Sequence, residues 1–180
     1  GIDFRNGVDQ QFVGIAMNNE GFAELNRFLS EHQMADKPIP AEVEFNHSFV
    51  VYPFLKAPKR RLLENEFVGV HPTQLIKLKF SEWKNHTDKL VILHTNTFRN
   101  KRDFNTHRLL RAIDKNVLLS KLPESEQASL KDNYTPPSEL EKAFEEFPEI
   151  IANTRRIIAE SSIDFEFKNY NKTQNQSIWT

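Results

Sequence analysis

Apolar residues in this chain come in short, strand-sized runs, and that pattern most limits what it can fold into. Phe49, Val50, Val51 and Tyr52 form one run and Leu90, Val91, Ile92 and Leu93 another. Both fall far short of the ~20 apolar residues that a membrane-spanning helix needs. The stretch 89–94 is apolar without alternation, the pattern of a parallel strand covered on both faces. Between such runs the apolar spacing changes to helical. Phe22, Leu25, Phe28, Leu29 and His32 share one stripe over 19–33, with Asn18 and Asn19 as cap candidates.

The remaining segments fit the same alternation. Strands are expected over 10–17, 48–54 and 66–70, and a short one over 163–167. Pro72 at a first helical position suits a helix over 73–80. A basic helix follows over 100–115, burying Phe104, Leu109, Leu110 and Ile113. Ser138 with Glu141 three residues on reads as a capping box. Pro148 opens a last helix with Ile150, Thr154, Ile157, Ile158 and Ser161 on one face. Pro38 and Pro40 mark 35–47 as a loop, and 118–136 reads as another. Strands alternating with helices argue for an α/β fold, either an open parallel sheet or part of a βα barrel. Residues 1–167 read as one domain and 168–180, rich in Asn and Gln, as a loose polar tail.

Composition narrows the chemistry. At 180 residues the chain is one domain in size and can bury about 70% of its unfolded surface. It has no cysteine, which excludes disulfides, thiol catalysis and cysteine-ligated zinc and fits a reducing cytosol, so a cytoplasmic location is expected. The formal net charge of -1 argues against binding nucleic acid by bulk electrostatics, so such binding would need a local patch. Gly1, Ile2, Asp3 and Phe4 open the chain as structure rather than as a secretory signal.

No His-x-His, His-Glu-x-x-His, glycine-rich phosphate loop or Gly-x-Ser-x-Gly turn is present. His107 lies four residues after Asp103, on one helical face, which suits packing and, as a second reading, a site. His94 ends a strand, where α/β folds place functional groups, although a structural role is the plainer reading. His32, His47, His71 and His86 read as bystanders. Arg99, Lys101, Arg102, Arg108 and Arg111 stand against Asp103 alone, a basic stretch suited to phosphate or to an acidic partner. The alternative is a solvated face balanced by Glu139, Glu141, Glu145, Glu146 and Glu149.

Two stretches carry a family likeness. One runs from Asp103-Phe104-Asn105-Thr106-His107 through Leu109, Leu110 and Ile113 to Pro137-Ser138-Glu139-Leu140 and Phe144. It ends on Phe147-Pro148-Glu149-Ile150, Asn153-Thr154 and Ile158-Ala159-Glu160. The other joins Gly1-Ile2-Asp3 to Ile15-Ala16, Asn18-Asn19-Glu20-Gly21-Phe22, Leu25 and Ser30. In this order and spacing they resemble the C-terminal two-thirds of the PHP (polymerase and histidinol phosphatase) domain of bacterial DNA polymerase III alpha subunits. The resemblance implies a partial, distorted βα barrel whose parallel strands alternate with helices. It also implies a place in DNA replication within a DNA-directed DNA polymerase, a nucleotidyltransferase. The implied partners are the remainder of the alpha subunit, the proofreading exonuclease subunit and, more weakly, DNA, with no membrane.

Active PHP domains hold divalent metals on His, Asp and Glu and hydrolyse phosphoesters. The resemblance places the first ligands upstream of residue 1, Asp3 at the acidic position of Gly-x-Glu, and Thr97 and Arg99 where the family carries Asp and His. A fixed cation at a ligand position opposes a divalent ion. The expectation is therefore a degenerate site with no catalytic residue, metal or cofactor in this stretch. The rival is a metal-dependent phosphoesterase completed by an N-terminal segment, with Asp3, His94 and His107 as its candidates. A second rival is an interaction domain unrelated to replication. If strands that close the barrel lie upstream, the exposed sheet edge should be capped by the chain's own segments or paired with a neighbour.

Overall fold

The computed structural model describes residues 1–164, and its centre is one five-stranded mixed sheet in the order β1-β2-β3-β4-β5. β1 (Ile2–Asn6) and β2 (Asp9–Ala16) form an antiparallel hairpin. Gly7, at φ 62, supplies the positive φ that its two-residue turn needs. β2 also runs antiparallel to β3 (Ser48–Pro53). β4 (Glu66–Val70) and β5 (Leu90–Ile92) then add in parallel. The α/β class holds, while the expectation of parallel strands throughout fails at β1 and β2. The sheet is open among the described residues, with β1 and β5 at its edges. Ile163 and Asp164 are not in a strand, and the rest of the strand expected over 163–167 lies outside the described residues, as does the tail.

α1 (Asn19–Met34) crosses between β2 and β3. Asn18 caps it, its side chain accepting from the Gly21 amide at 2.9 Å. Gly21 has to be glycine for another reason: a Cβ there would lie 2.0 Å from the His47 carbonyl oxygen. At the far end Asp36, at φ 48, reverses the chain. The Lys37 amide then donates to His32 O and the Asp36 amide to Gln33 O, the two bonds of a Schellman cap.

The main core lies on the α1 side of the sheet. The rings of Phe4, Phe12, Phe28 and Phe45 pack with centroids 4.7 to 6.4 Å apart. Val50, Tyr52, Val68 and Leu90 continue the layer toward Leu78, Phe144 and Ile150. Those last three come from α2 (Leu75–Lys79), the end of α4 (Pro137–Ala143) and α5 (Pro148–Ala159).

 α5 (Pro148–Ala159) has Pro at its first turn, as the sequence suggests. On the other face Phe49, Val51, Phe67 and Val91 are buried with Ile157 of α5. The helix therefore wraps the β5 edge, with Ile150 on one side of the sheet and Ile157 on the other, while Ile158 is 69% exposed.

That wrapping closes the β5 edge. The outward Ile92 amide donates to Thr154 Oγ1 at 2.9 Å, and Asn153 Nδ2 donates to Leu90 O at 3.0 Å. Asn153 also reaches the Thr87 and Asp88 carbonyls. Side chains of one helix thus take the place of a sixth strand, capping the edge from within the chain.

Two local expectations fail. Ser138 is not a cap: Pro137 is already the first residue of α4, so Ser138 sits inside the first turn with no side-chain cap bond at the helix start. α3 (Lys101–Asp114) buries Ala112, while Leu109, Leu110 and Ile113 are exposed. Phe104 is half-buried, its ring tilted 58° against that of Phe98 with centroids 5.1 Å apart.

Candidate functional site at the ends of the parallel strands

In a parallel sheet the chain leaves every strand at the same end, and functional groups collect there. β4 is followed at once by His71, and β5 by Leu93 and His94. Because these strands are neighbours, the two imidazoles meet, with His94 Nδ1 3.1 Å from His71 Nε2. The partners settle the tautomers. The Thr73 amide donates to His71 Nδ1 at 3.2 Å, so that nitrogen is unprotonated and Nε2–H donates to His94. His94 Nε2–H then donates to the Asn133 carbonyl at 2.9 Å. Thr73, His71, His94 and Asn133 make one relay in which every ring nitrogen is used. Burial, with a smaller contribution from His94, holds the His71 imidazole below its ordinary 6.5.

The relay ties the strand ends to the 129–134 loop. The Thr97 amide donates to Asp132 O at 2.8 Å and the Tyr134 amide to Phe98 O at 2.8 Å. Phe98, buried beneath this crossing, pairs with Asn133 in an isolated parallel bridge. Asn100 caps α3 by accepting from the Arg102 and Asp103 amides.

The positions singled out in the sequence are not gathered into one centre. Arg99 projects outward and donates to Asp103 at 2.8 Å, four residues on along α3. That bond holds the Asp103 carboxyl below its usual range. Thr97 is exposed beside it. His107 Nε2 accepts from the Ala128 amide at 3.3 Å, so it packs against the following loop. Together with Phe98, Thr106 and Leu110 these residues line a shallow hollow of about 330 Å³. Asp3 accepts from Arg5 and Gln10 on the hairpin. It stands on β1, four strand steps from β5, or roughly 19 Å along the sheet at about 4.8 Å per step.

A divalent metal fits these residues poorly. The Asp103 carboxylate already faces a guanidinium, and the ring nitrogens of His71 and His94 are taken by hydrogen bonds. Among the described residues no group of three or more His, Asp or Glu side chains is placed to share an ion.

The basic stretch is partly neutralised from within. Arg111 pairs with Asp114 and Glu126, and Arg108 donates to Gln127 at 2.7 Å. The acidic 139–149 segment is engaged elsewhere: Glu141 with Arg155, Glu146 with Lys79 and Glu149 with Thr87. The counter-charges for α3 thus come from its own turns and the loop after it. Lys101 and Arg102 remain exposed without an ion pair among the described residues.

At the opposite end of the strands lies a buried charge network. Glu66 is 1% exposed and accepts two bonds from Arg60, one from the Leu63 amide and one from the Tyr52 hydroxyl. Burial alone would raise its carboxyl, but these donors outweigh it and hold the group below the ordinary carboxylate range. Burial pushes the Tyr52 phenol up to about 12. A cleft of about 960 Å³ opens beside Arg60, walled by Pro58, Leu62, Trp83 and Lys89. No helix among the described residues is long and apolar enough to cross a membrane. Comparison with models of protein families, with curated proteins and with solved structures finds no match to this chain.

Proposed function

We propose that this chain is a non-catalytic PHP module of a bacterial replicative DNA polymerase III alpha subunit, and that it braces the polymerase core. The observation carrying this reading is the state of the strand-end positions. Arg99, where the resemblance puts a metal-binding His, is engaged with Asp103, and the nearby imidazoles are spent on a structural relay. A site of this kind holds two loops together instead of activating water. The mixed sheet is of the α/β class that this reading needs; with the β5 edge taken by Thr154 and Asn153, any further strand of a PHP-type barrel would have to add at the free edge of β1. Docking of the proofreading exonuclease subunit, and a cytoplasmic location, go with the same reading.

The test is primer extension by the full-length polypeptide, with hydrolysis of bis-p-nitrophenyl phosphate followed in parallel. The expected result is template-directed extension with no phosphoesterase activity. Extension should also lose heat stability on Glu66→Gln, which weakens only this domain. A full-length protein that hydrolyses the phosphodiester, or that extends no primer, would overturn the proposal.

A further inference from the structure

The loops that lead into β4 and β5 stand apart at the opposite end of the strands from the His71–His94 relay. The cleft of about 960 Å³ lies between them, within the ~300–1,000 Å³ of small-molecule sites. Its floor is fixed. Lys89 Nζ donates to the Leu63 and Glu64 carbonyls at 2.6 and 3.1 Å and so ties one loop to the other. Arg60 points inward, held by Glu42 and Glu66. Leu62 is buried in the wall and the half-buried Trp83 adds an indole.

The charges at the mouth are sorted by loop. Lys59 and Arg61 flank the inward Arg60, are exposed, and make no ion pair among the described residues. Glu82 and Asp88 come from the other loop, also exposed and also without an ion pair there. Asp88 and Glu64 act on Lys89, so the floor carries its own counter-charge and the two cations of the lip do not. No ion pair joins the lips across the gap. A ligand for such a cleft is anionic at one end, flat and aromatic in the middle, and rich in hydroxyl or amino donors toward the acids. A free aromatic amino acid carries both charges on one carbon, too close together to serve two lips that do not reach each other.

We infer that the cleft binds a nucleoside monophosphate. Its phosphate sits on Lys59 and Arg61, its base lies against Trp83, and its sugar hydroxyls donate to the carboxylates of Glu82 and Asp88. The inference makes no use of the polymerase reading and concerns a different end of the strands.

Calorimetry on the full-length polypeptide tests it, with adenosine monophosphate as the probe. One saturable site is expected. Adenosine, which lacks the phosphate, ribose 5-phosphate, which lacks the base, and tryptophan should each bind at least about tenfold more weakly. Lys59→Glu/Arg61→Glu should raise the Kd at least about tenfold, because it replaces two charge-assisted donors by acids on exposed side chains that pair with nothing in the fold. No saturable binding up to about 1 mM probe, an unchanged Kd in that variant, or equal binding of any of the three comparison ligands would overturn the inference. Binding as expected without primer extension would sink only the polymerase assignment, and extension without binding at this cleft would sink only the inference.

Discussion

Glu66→Gln should cost this domain about 3 kcal/mol, and the geometry says why. The two carboxylate oxygens take four donors: Oε1 accepts from Tyr52 and Arg60, Oε2 from Arg60 and the Leu63 amide. An amide supplies only one oxygen. With its NH₂ at the Oε2 position it would face two donors that cannot reverse. It will therefore turn NH₂ toward Tyr52, whose hydroxyl can rotate to accept. One Arg60 bond is then lost outright, and the other keeps its cationic donor but exchanges an anionic acceptor for a neutral amide oxygen. Losing one charge-assisted bond costs roughly 1.5–3 kcal/mol, and breaking a fully buried pair roughly 3–5. Arg60 keeps its bond to Glu42 and stays a third exposed, so the lower part of that range applies. Glu42→Gln, at the exposed end of the same network, should cost under about 1 kcal/mol.

Urea unfolding followed by tryptophan fluorescence reads the difference, and pH gives a second axis. The folded Glu66 carboxyl lies below its ordinary 4.5. Its contribution is therefore complete above that value and is lost as pH falls through the folded value. Glu66→Gln should flatten this acid limb. A loss below about 1 kcal/mol, or one equal to that of Glu42→Gln, would refute the view of Glu66 as a buried, fully paired charge.

Three further outcomes are expected. Gly21→Ala should be among the most damaging single-methyl changes, because the new Cβ meets a backbone carbonyl at 2.0 Å; thermal unfolding should show a loss of at least about 2 kcal/mol, and a neutral result would mean that α1 does not sit this close to the start of β3. Asn153→Ala removes three carbonyl partners at the β5 edge and should cost about 1–3 kcal/mol, with concentration-dependent aggregation as its mark; a variant that stays monomeric and stable would show that the edge needs no cap. His71 titrates below 6.5 when folded, so its part in stability is complete above pH 6.5 and declines as pH falls toward the folded value. His71→Asn should remove that decline between pH 7 and pH 5.5 in urea midpoints, and an unchanged slope would place the titration elsewhere.

The strands were the most legible part of the sequence because burial on both faces leaves a continuous apolar run. β4 falls at 66–70 as expected, and β3 and β5 within two residues. The hairpin was not read, although Asn6-Gly7 marks its turn, because Asp3, Arg5 and Asn6 give β1 too little apolar signal. Periodicity found α3 but not which side it buries, since an apolar stripe looks the same in sequence whether it meets the core or faces outward, as Leu109, Leu110 and Ile113 do. Ser138 fitted a capping pattern that Pro137 overrides. The His71–His94 relay was hidden because the residues lie 23 apart and touch only once β4 and β5 are known to be adjacent. Two histidines, each just after a strand-like run, were the available signal.

Metal content is the most direct test of the central claim. Elemental analysis and calorimetry with zinc and manganese on the full-length polypeptide should find no ion bound through this domain, and His94→Ala should leave binding unchanged. Two or three tightly bound ions, lost on His94→Ala together with phosphodiester hydrolysis, would contradict the account and make the strand ends an active metal centre.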